Sequence, residues 1–206
     1  MTNPDGSGPE NSSDLTINRP EHAPQLEETR EIENPKTGTM NKVPNMESER
    51  YRAIMRHQAG AVTVVATGDP GARAGLTATA VASVSDKPPA LLVCVGRETQ
   101  AHGLIGQMRV FSVNLLSSEQ QAVADLFAGR DGVSGEDRFR GSDWRVGAAG
   151  APILDGALAT LECRLTDQHA FSTHTIFIGQ VIDGLFRAEV SPLLYFRGDY
   201  WDVGAR

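Results

Sequence analysis

The chain has 206 residues, which suits one domain with or without an extension, and 40% of them are hydrophobic. The formal charge of −7 argues against non-specific nucleic-acid binding, which needs clustered Lys and Arg. No stretch approaches the roughly 20 apolar residues of a membrane helix, and the N-terminus lacks the basic start and apolar run of a signal peptide. We therefore expect a cytoplasmic protein that binds neither nucleic acid nor membrane.

The first 45 residues differ in composition from the rest of the chain. They are rich in Pro, Asn, Glu, Ser and Thr, with few aromatic or large aliphatic side chains. Such a segment buries too little apolar area to offset the entropy lost on ordering. We predict a disordered N-terminal extension over residues 1–45 and a folded domain over residues 46–206.

The folded part begins with a predicted amphipathic helix, because Tyr51, Ile54 and Met55 fall at positions i, i+3 and i+4. A β-branched strand follows at 61–67 (AVTVVAT), and its end is marked by turn residues. The continuous apolar run at 90–95 (ALLVCV) predicts a strand that is buried on both faces.

Alternating residues at 111–115 and 160–165 predict two further strands, each buried on one face. Thr99 is a candidate cap for one helix, and Ser118 with Gln121 resembles a capping box that opens another, with Gly129 at its end. Several short strands with two or three inserted helices indicate a closed antiparallel barrel.

The two cysteines, Cys94 and Cys163, both lie in apolar segments, so we expect two buried, reduced thiols. The sequence has no dinucleotide-binding glycine motif, Walker loop or nucleophile elbow, and its five histidines lack metal-ligand spacing. We predict no metal site, and we expect a cofactor to supply any difficult chemistry.

The most informative segment is GLTATAVASVSDKPP (75–89). It combines four hydroxyl side chains, Thr77, Thr79, Ser83 and Ser85, with small residues and ends at a double proline. Small residues let a backbone approach a flat or anionic ligand, and hydroxyl and N–H groups satisfy its oxygens. Taken alone, the same composition also fits an ordinary strand and loop.

With its neighbours, this segment resembles the flavin reductase family, the short-chain reductase components that supply reduced flavin to partner monooxygenases. The resemblance extends from Tyr51 to Tyr200. It rests on seven segments in order: AVTVVAT (61–67), GLTATAVASVSDKPP (75–89), FSVNLLSSEQQAVADLFAG (111–129), DRFRGSDW (137–144), GAPILDGALATLECRL (150–165), HAFSTHTIFIGQV (169–181) and SPLLYFRGDYW (191–201).

The resemblance implies a mainly β (α+β) fold, an antiparallel split β-barrel of the FMN-binding type with two or three short helices. It implies an NAD(P)H:flavin oxidoreductase that transfers hydride from NADH or NADPH to FMN or FAD. Expected partners are the oxygenase component of a two-component monooxygenase and a second copy of the chain in a homodimer.

The resemblance also implies a set of site residues. His174 would position the nicotinamide, although Ser172 and Thr173 stand where the family typically has Gly-Asp. Arg97 would pair with a flavin phosphate, and Arg197 and Tyr200 would close over the dinucleotide. The implied cofactor-binding residues are Thr79, Ala80, Val81, Ala82, Ser83, Ser85, Cys94, Val95, Gly96, Arg97, Glu98, Thr99, Gln100, Phe127, Gly129, Arg197, Gly198, Asp199 and Tyr200.

Two alternatives stay open at this point. A pyridoxamine-phosphate-oxidase-like flavoprotein would keep the barrel, but those proteins hold FMN with more basic residues than 75–89 offers. A non-catalytic flavin- or tetrapyrrole-binding barrel would bind its ligand without turnover. Flavin-dependent oxidation of NADH distinguishes a reductase from a binding protein.

Overall fold

The computed structural model describes residues 29–33 and 40–204, with side chains from residue 45 onward. Strands β1 (Thr29–Glu33) and β2 (Met40–Pro44) form an antiparallel ladder. These two strands lie within the predicted N-terminal extension, and their backbone groups pair with one another. The remaining residues of the predicted extension, 1–28 and 34–39, lie outside the described ranges, so the extension as a whole stays a prediction.

Residues from Arg52 onward form a separate compact unit. The α-helices in the described ranges are α1 (Ser48–Met55), α2 (Gln100–Met108) and α3 (Gln121–Phe127). The remaining strands are β3 (Gly60–Ala61), β4 (Thr63–Thr67), β5 (Ala74–Ala78), β6 (Val81–Asp86), β7 (Pro89–Gly96), β8 (Val110–Leu115), β9 (Trp144–Val146), β10 (Pro152–Leu154), β11 (Ala159–Phe171), β12 (His174–Phe186), β13 (Leu193–Phe196) and β14 (Asp199–Asp202).

The largest sheet has seven antiparallel strands in the order β5-β4-β8-β11-β12-β7-β6. Its two edge strands, β5 and β6, are joined by Thr79 and Ala80 alone. In a flat sheet, six strand spacings would separate these edges by about 28 Å. The chain from Ala78 to Val81 spans at most about 11 Å. The sheet must therefore roll up until its edges approach each other. The predicted mainly antiparallel β fold with short helices is confirmed.

Strand β4 separates two hydrophobic clusters. On one face, Val65 packs with side chains of α2, β7, β8, β11 and β12, which fill the interior of the rolled sheet. On the other face, Val64 and Ala66 pack against α3, β13 and the 3-10 turn Gly135–Phe139. This second cluster is important for the site, because it fixes α3 and the turn against the outside of the sheet.

Three burial predictions are wrong in detail. Strand β11 buries Thr160 and Glu162 on the face that was predicted to be exposed. Strand β8 is buried on both faces, since its polar residues are satisfied internally: Leu154 N–H donates to Asn114 Oδ1 over 2.9 Å, and the Ser112 hydroxyl donates to the Pro152 carbonyl. Strand β7 is fully buried on one face only, because Leu92 and Cys94 are partly exposed.

The helix predictions are confirmed, with one correction. Thr99 caps α2, accepting a hydrogen bond from His102 N–H at 3.3 Å. The capping pair before α3 lies one residue earlier than predicted, with Ser117 N–H donating to Gln120 Oε1 over 3.1 Å, because a 3-10 turn precedes the helix. Helix α1 forms as expected, but Tyr51 and Ile54 on its apolar face are at least half exposed (55% and 50%).

Candidate functional site

Two adjoining cavities lie along β5, outside the rolled sheet. The larger measures about 440 Å³ and the smaller about 250 Å³, and both are bounded by Thr77 and Ala128. The larger is lined by Gly75, Leu76, Thr77, Glu98, Thr99, Gln100, Phe127, Ala128, Ser134 and Arg138. The smaller is lined by Val62, Thr77, Ala78, Thr79, Ala128, Arg130, Tyr195 and Tyr200. We call the two together the β5 cleft.

The end of α3 is held against β5 by one hydrogen bond and one close approach. The Thr77 hydroxyl donates to the Ala124 carbonyl at 2.6 Å. The Phe127 ring lies so close to Gly75 that a Cβ there would come within 2.8 Å of its Cε1 atom, so Gly75 is required for this packing. Phe127 is 1% exposed and packs edge-on against Phe139 with ring centroids 5.0 Å apart. It is therefore both a core residue and part of the cleft wall.

Arg138 is the cationic group of the larger cavity. Its Nε donates to the Val133 carbonyl at 2.8 Å, and Nη1 donates to the carbonyls of Phe127 (3.2 Å) and Gly75 (3.3 Å). Among the described residues, no ion pair involves Arg138 and no hydrogen bond uses Nη2. Three backbone carbonyls thus hold a guanidinium in place without neutralising its charge.

Gly129 makes room for this guanidinium. Its φ of +76° lies in the left-handed region, and a Cβ there would approach Arg138 Nη2 within 2.7 Å. Any other residue would be strained in this conformation and would displace the arginine. The predicted site residue Gly129 therefore affects the cavity through Arg138, since it is not part of the lining itself.

The smaller cavity has a neutralised cation and an aromatic wall. Arg130 pairs with Asp125 at 2.9 Å and lies over the Tyr200 ring, 5.8 Å from its centroid. Tyr200 packs edge-on against Tyr195 with centroids 5.5 Å apart. Burial, followed by the nearby Asp125 carboxylate, raises the pKa of Tyr200, so its hydroxyl stays protonated at neutral pH.

Six predicted cofactor-binding residues line the cleft: Thr79, Glu98, Thr99, Gln100, Phe127 and Tyr200. The segment from Ala80 to Ser85 leads away from Thr79 as an edge strand that is largely exposed on both faces. We call residues 79–85 the ledge. Its backbone is anchored by Cys94 N–H, which donates to the Ala80 carbonyl at 3.0 Å. The ledge is therefore an accessible surface beside the cleft.

The predicted cofactor-binding residues from Cys94 to Arg97 do not line the cleft. Val95 is buried inside the rolled sheet, and Cys94 is partly buried on β7. Arg97 is exposed, and its guanidinium donates to the Ser172 carbonyl at 3.3 Å, on the β11–β12 hairpin. Gly96 and Arg97 do not line either cavity. The structure therefore places Arg138, not Arg97, at the larger cavity.

Of His174 and the Arg197–Tyr200 hairpin, only Tyr200 lines the cleft. His174 is exposed, lies opposite Gly96 in the sheet, and its Nδ1 lies 2.8 Å from the Thr173 hydroxyl. Arg197 and Gly198 form the turn between β13 and β14 with φ of +55° and +90°. This turn directs Tyr200 into the smaller cavity, whereas Arg197, Gly198 and Asp199 do not line it.

The sequence prediction missed ten of the sixteen lining residues, most notably Arg130, Ser134, Arg138 and Tyr195. Arg138 and Tyr195 stand within segments that carry the family resemblance, DRFRGSDW and SPLLYFRGDYW. That membership was the only available signal. The spacing of residues in the sequence does not show which arginine of a segment faces the cleft, because that depends on tertiary contacts.

Other reactive groups lie away from the cleft. Burial raises the pKa of Cys163 to about 12, with a smaller contribution from Glu162, so this thiol is inert at neutral pH. His, Cys, Asp and Glu side chains form no potential metal-binding group of three in the described part of the chain. None of the described helices has the length and apolar character that a membrane crossing needs.

Comparison with known proteins identifies the family. The profile described as "Flavin reductase like domain" matches residues 55–204. The chain belongs to the flavin reductase family. The FMN reductase (NADH) RutF of Stutzerimonas stutzeri is 38% identical over 152 residues, which span 74% of this chain and 86% of the relative. The split-barrel type predicted from the sequence is confirmed by this family membership and by the solved structures that the chain resembles.

Two further relatives connect the family to its reaction. The 4-hydroxyphenylacetate 3-monooxygenase reductase component of Pseudomonas aeruginosa is 38% identical over 148 residues, covering 72% of this chain and 87% of the relative. The Streptomyces globisporus NADH:FAD oxidoreductase SgcE6, solved in complex with NAD and FAD fragments, is 30% identical. Its TM-score is 0.70 over 85% of this chain and 98% of that one.

Proposed function

We propose that this chain reduces flavin with a reduced nicotinamide in the β5 cleft, with the flavin phosphate bound at Arg138. Flavin reduction by NAD(P)H for a partner oxygenase is the activity that the family and the relatives' names support. The observation that carries the binding mode is the Arg138 guanidinium, which is held by three carbonyls and whose Nη2 makes no hydrogen bond to any described residue. A phosphate oxygen forms a strong charge-assisted hydrogen bond with such a group.

The remaining polar groups of the larger cavity suit the phosphate end of a flavin. Ser134 offers a hydroxyl donor, and Gln100 offers an amide. The Thr99 hydroxyl already donates its one proton to the Gly96 carbonyl at 2.8 Å, so it fixes the start of α2 and is not itself a donor to the phosphate. The phosphate would thus meet donors on two sides, from the 3-10 turn and from the start of α2.

The ledge is the proposed platform for the isoalloxazine. Its side chains are small, so a flat ring system can approach the backbone of Thr79–Ser83. When flavin and nicotinamide are both bound, the nicotinamide supplies a hydride to the flavin, and this transfer requires no general base. The chain's contribution is to orient two planar rings face to face, which is worth several kcal/mol when the geometry is well defined.

His174 and Tyr200 are the proposed nicotinamide-side residues. Tyr200 lines the smaller cavity and keeps its proton, so it can donate a hydrogen bond to a ribose or carboxamide oxygen. His174 lies beside the turn that leads to Glu98–Gln100. We propose NADH as the reductant and FMN or FAD as the flavin, as in the names of the relatives.

We also propose a homodimer, a cytoplasmic location and transfer of reduced flavin to an oxygenase. The homodimer is supported by the exposed ledge, because a second copy would shield a ring lying on it from water. The oxygenase is supported by the name of the Pseudomonas relative. Light scattering on the purified chain tests the dimer, and a monomer that reduces flavin would contradict it.

The function itself is tested by mixing the full chain with NADH and adding FMN, FAD or riboflavin in turn. The expected result is flavin-dependent loss of NADH absorbance, with a lower KM for FMN than for riboflavin, which lacks the phosphate. Equal KM values for FMN and riboflavin with normal turnover would support the reductase activity and contradict the phosphate site at Arg138. Absence of turnover with every flavin would refute the function.

A further inference from the structure

A bidentate ion pair joins the β4–β5 turn to the 3-10 turn Gly135–Phe139. Arg73 Nε donates to Glu136 Oε1 at 3.0 Å, its Nη2 donates to the same oxygen, and Arg73 N–H donates to Oε2 at 2.8 Å. The pair is partly buried, with side-chain exposures of 17% and 28%. It fixes the orientation of the turn more firmly than a single surface contact would.

The guanidinium of Arg73 is held on a second side by an aromatic ring. It lies over Phe139, 4.5 Å from the ring centroid, and Phe139 is buried in the cluster that contains Phe127. The hydrogen bonds to Arg73, with the charge attraction it adds, hold the pKa of Glu136 below its ordinary range. Both ends of the turn, Glu136 and Phe139, are therefore attached to Arg73.

Arg138 lies between these two attachment points. Its Nη1 reaches the Gly75 carbonyl on β5, two residues after Arg73 in the chain. The segment leading into the turn contains Gly132 and Gly135, both with positive φ, and it contributes no residue to the core clusters before Phe139. The Arg73–Glu136 pair is thus a second polar contact that holds this turn beside the start of β5, in addition to the hydrogen bond from Arg138 to Gly75.

We propose that Arg73 and Glu136 are positioning residues that hold Arg138 at the spacing required for the flavin phosphate. This inference rests on the proposed function, because it concerns the same phosphate site. Arg73 does not line either cavity of the cleft, so it acts through Arg138. Loss of the pair weakens the binding of phosphate-bearing flavin and leaves the ring platform unchanged.

The test compares FMN with riboflavin, which differ only in the phosphate, by fluorescence quenching with the full chain. Arg73→Met is expected to raise the Kd for FMN about five- to tenfold, which is less than the loss of a direct charge-assisted contact because Arg73 acts through Arg138, with riboflavin changed less than about twofold. In an Arg138→Met background the same change should add less than about twofold, because residues that act through one another are not additive.

Arg140→Met is the matched control. Arg140 belongs to the same segment and pairs with Asp137 at 3.1 Å, but both side chains are largely exposed (80% and 61%), and the pair does not reach β5. Its FMN and riboflavin affinities should equal those of the unmodified chain. Glu136→Gln keeps the side-chain shape and is measured in parallel, with thermal unfolding, in case Arg73→Met does not fold.

The outcomes separate this inference from the function on which it rests. An unmodified chain that binds neither flavin refutes the proposed function and the inference with it. If the unmodified chain binds FMN but Arg73→Met and Glu136→Gln bind it equally well, only the positioning role is overturned. Equal losses for FMN and riboflavin in folded variants also overturn it, since they indicate a general structural effect.

Discussion

The two cavities of the β5 cleft each contain an arginine, but the two guanidinium groups are held differently. Arg138 in the larger cavity is held by three backbone carbonyls and has no carboxylate partner among the described residues. Arg130 in the smaller cavity pairs with Asp125 at 2.9 Å and is the more exposed of the two. Arg138 thus has no carboxylate in contact with it among the described residues, although Glu98 also lines the larger cavity, whereas the charge of Arg130 is balanced by Asp125 in direct contact.

This difference makes the larger cavity a candidate anion-binding site, whereas the arginine of the smaller cavity is already paired with a carboxylate. Carbonyl groups orient a cation without cancelling its charge, so an incoming phosphate meets an arginine already in place. A carboxylate cancels the charge, and an anionic ligand must compete with it for the guanidinium. The larger cavity is therefore suited to the phosphate of a flavin, and the smaller to an uncharged, planar part of a ligand beside Tyr195 and Tyr200.

The largest expected effect is that of Arg138→Met on FMN binding. Loss of a charge-assisted contact of about 2–3 kcal/mol raises the Kd for FMN about 30- to 150-fold. Riboflavin should bind almost unchanged, because it has no phosphate. Fluorescence titration measures both. Arg97→Met tests whether the phosphate binds at the turn after β7 instead. A larger loss of FMN affinity in Arg97→Met than in Arg138→Met would contradict binding at Arg138.

The next effect is that of His174→Ala on turnover. If His174 positions the nicotinamide, NADH oxidation should fall about tenfold or more, through lost orientation of the transition state. The Kd for FMN should stay constant, because His174 lies outside both cavities. His169→Ala serves as the control, since His169 is an exposed histidine of the same hairpin that pairs with Asp167. Unchanged turnover would remove His174 from the site.

Gly129→Ala should give an intermediate loss. The substitution forces a side chain into a left-handed conformation and against Arg138 Nη2, which we expect to lower the free energy of unfolding by about 1–2 kcal/mol. FMN affinity should fall several-fold while riboflavin affinity stays the same. Gly132→Ala controls for backbone strain alone, because its φ is also positive but nothing lies within 4 Å of its Cβ position. Equal FMN losses in both variants would contradict the displacement of Arg138.

The sequence predicted the barrel better than the cleft, and particular residues show why. Val64, Val65 and Ala66 are apolar because of burial on the two faces of one strand, which local composition reveals. Arg97 and Arg138 look alike in sequence, since each follows an acidic or small residue in a loop. Only the tertiary contacts of the turn with Gly75 and Phe127 place Arg138 in the cavity.

The same limit explains why only some of the predicted cofactor-binding residues line the cleft. Thr79, Glu98, Thr99 and Gln100 were found because the family resemblance assigned roles to their segments. Ser134 and Arg130 stand in glycine-rich loops without periodicity, and no motif marks them. The exposed apolar face of α1 shows a further limit, because a period of 3.6 residues predicts the helix but not its partner.

A smaller effect is expected on the pH dependence of stability, through the Arg73–Glu136 ion pair. The pKa of Glu136 is lowered in the folded chain, chiefly by the hydrogen bond from Arg73. Its contribution to stability is therefore complete above the ordinary glutamate range and is lost as pH falls through the folded-state pKa. Thermal unfolding across acidic pH should show a weaker pH dependence for Glu136→Gln than for the unmodified chain. Parallel curves would show that Glu136 titrates alike in both states.

The smallest expected effect is that of Arg130→Met. Its pair with Asp125 is mostly exposed (54% and 31%), and such pairs contribute about 0–1 kcal/mol. We expect less than about a threefold change in the Kd for FMN. A loss as large as that of Arg138→Met would erase the distinction between the two cavities.

The most direct measurement is the rate of NADH oxidation by the full chain as the FMN concentration is raised. A flavin reductase that uses the β5 cleft gives a rate that saturates with FMN, and Arg138→Met shifts the curve to higher FMN with little change in its plateau. A rate that stays at the flavin-free background over the whole titration would contradict the assignment of this cleft as a site of flavin reduction.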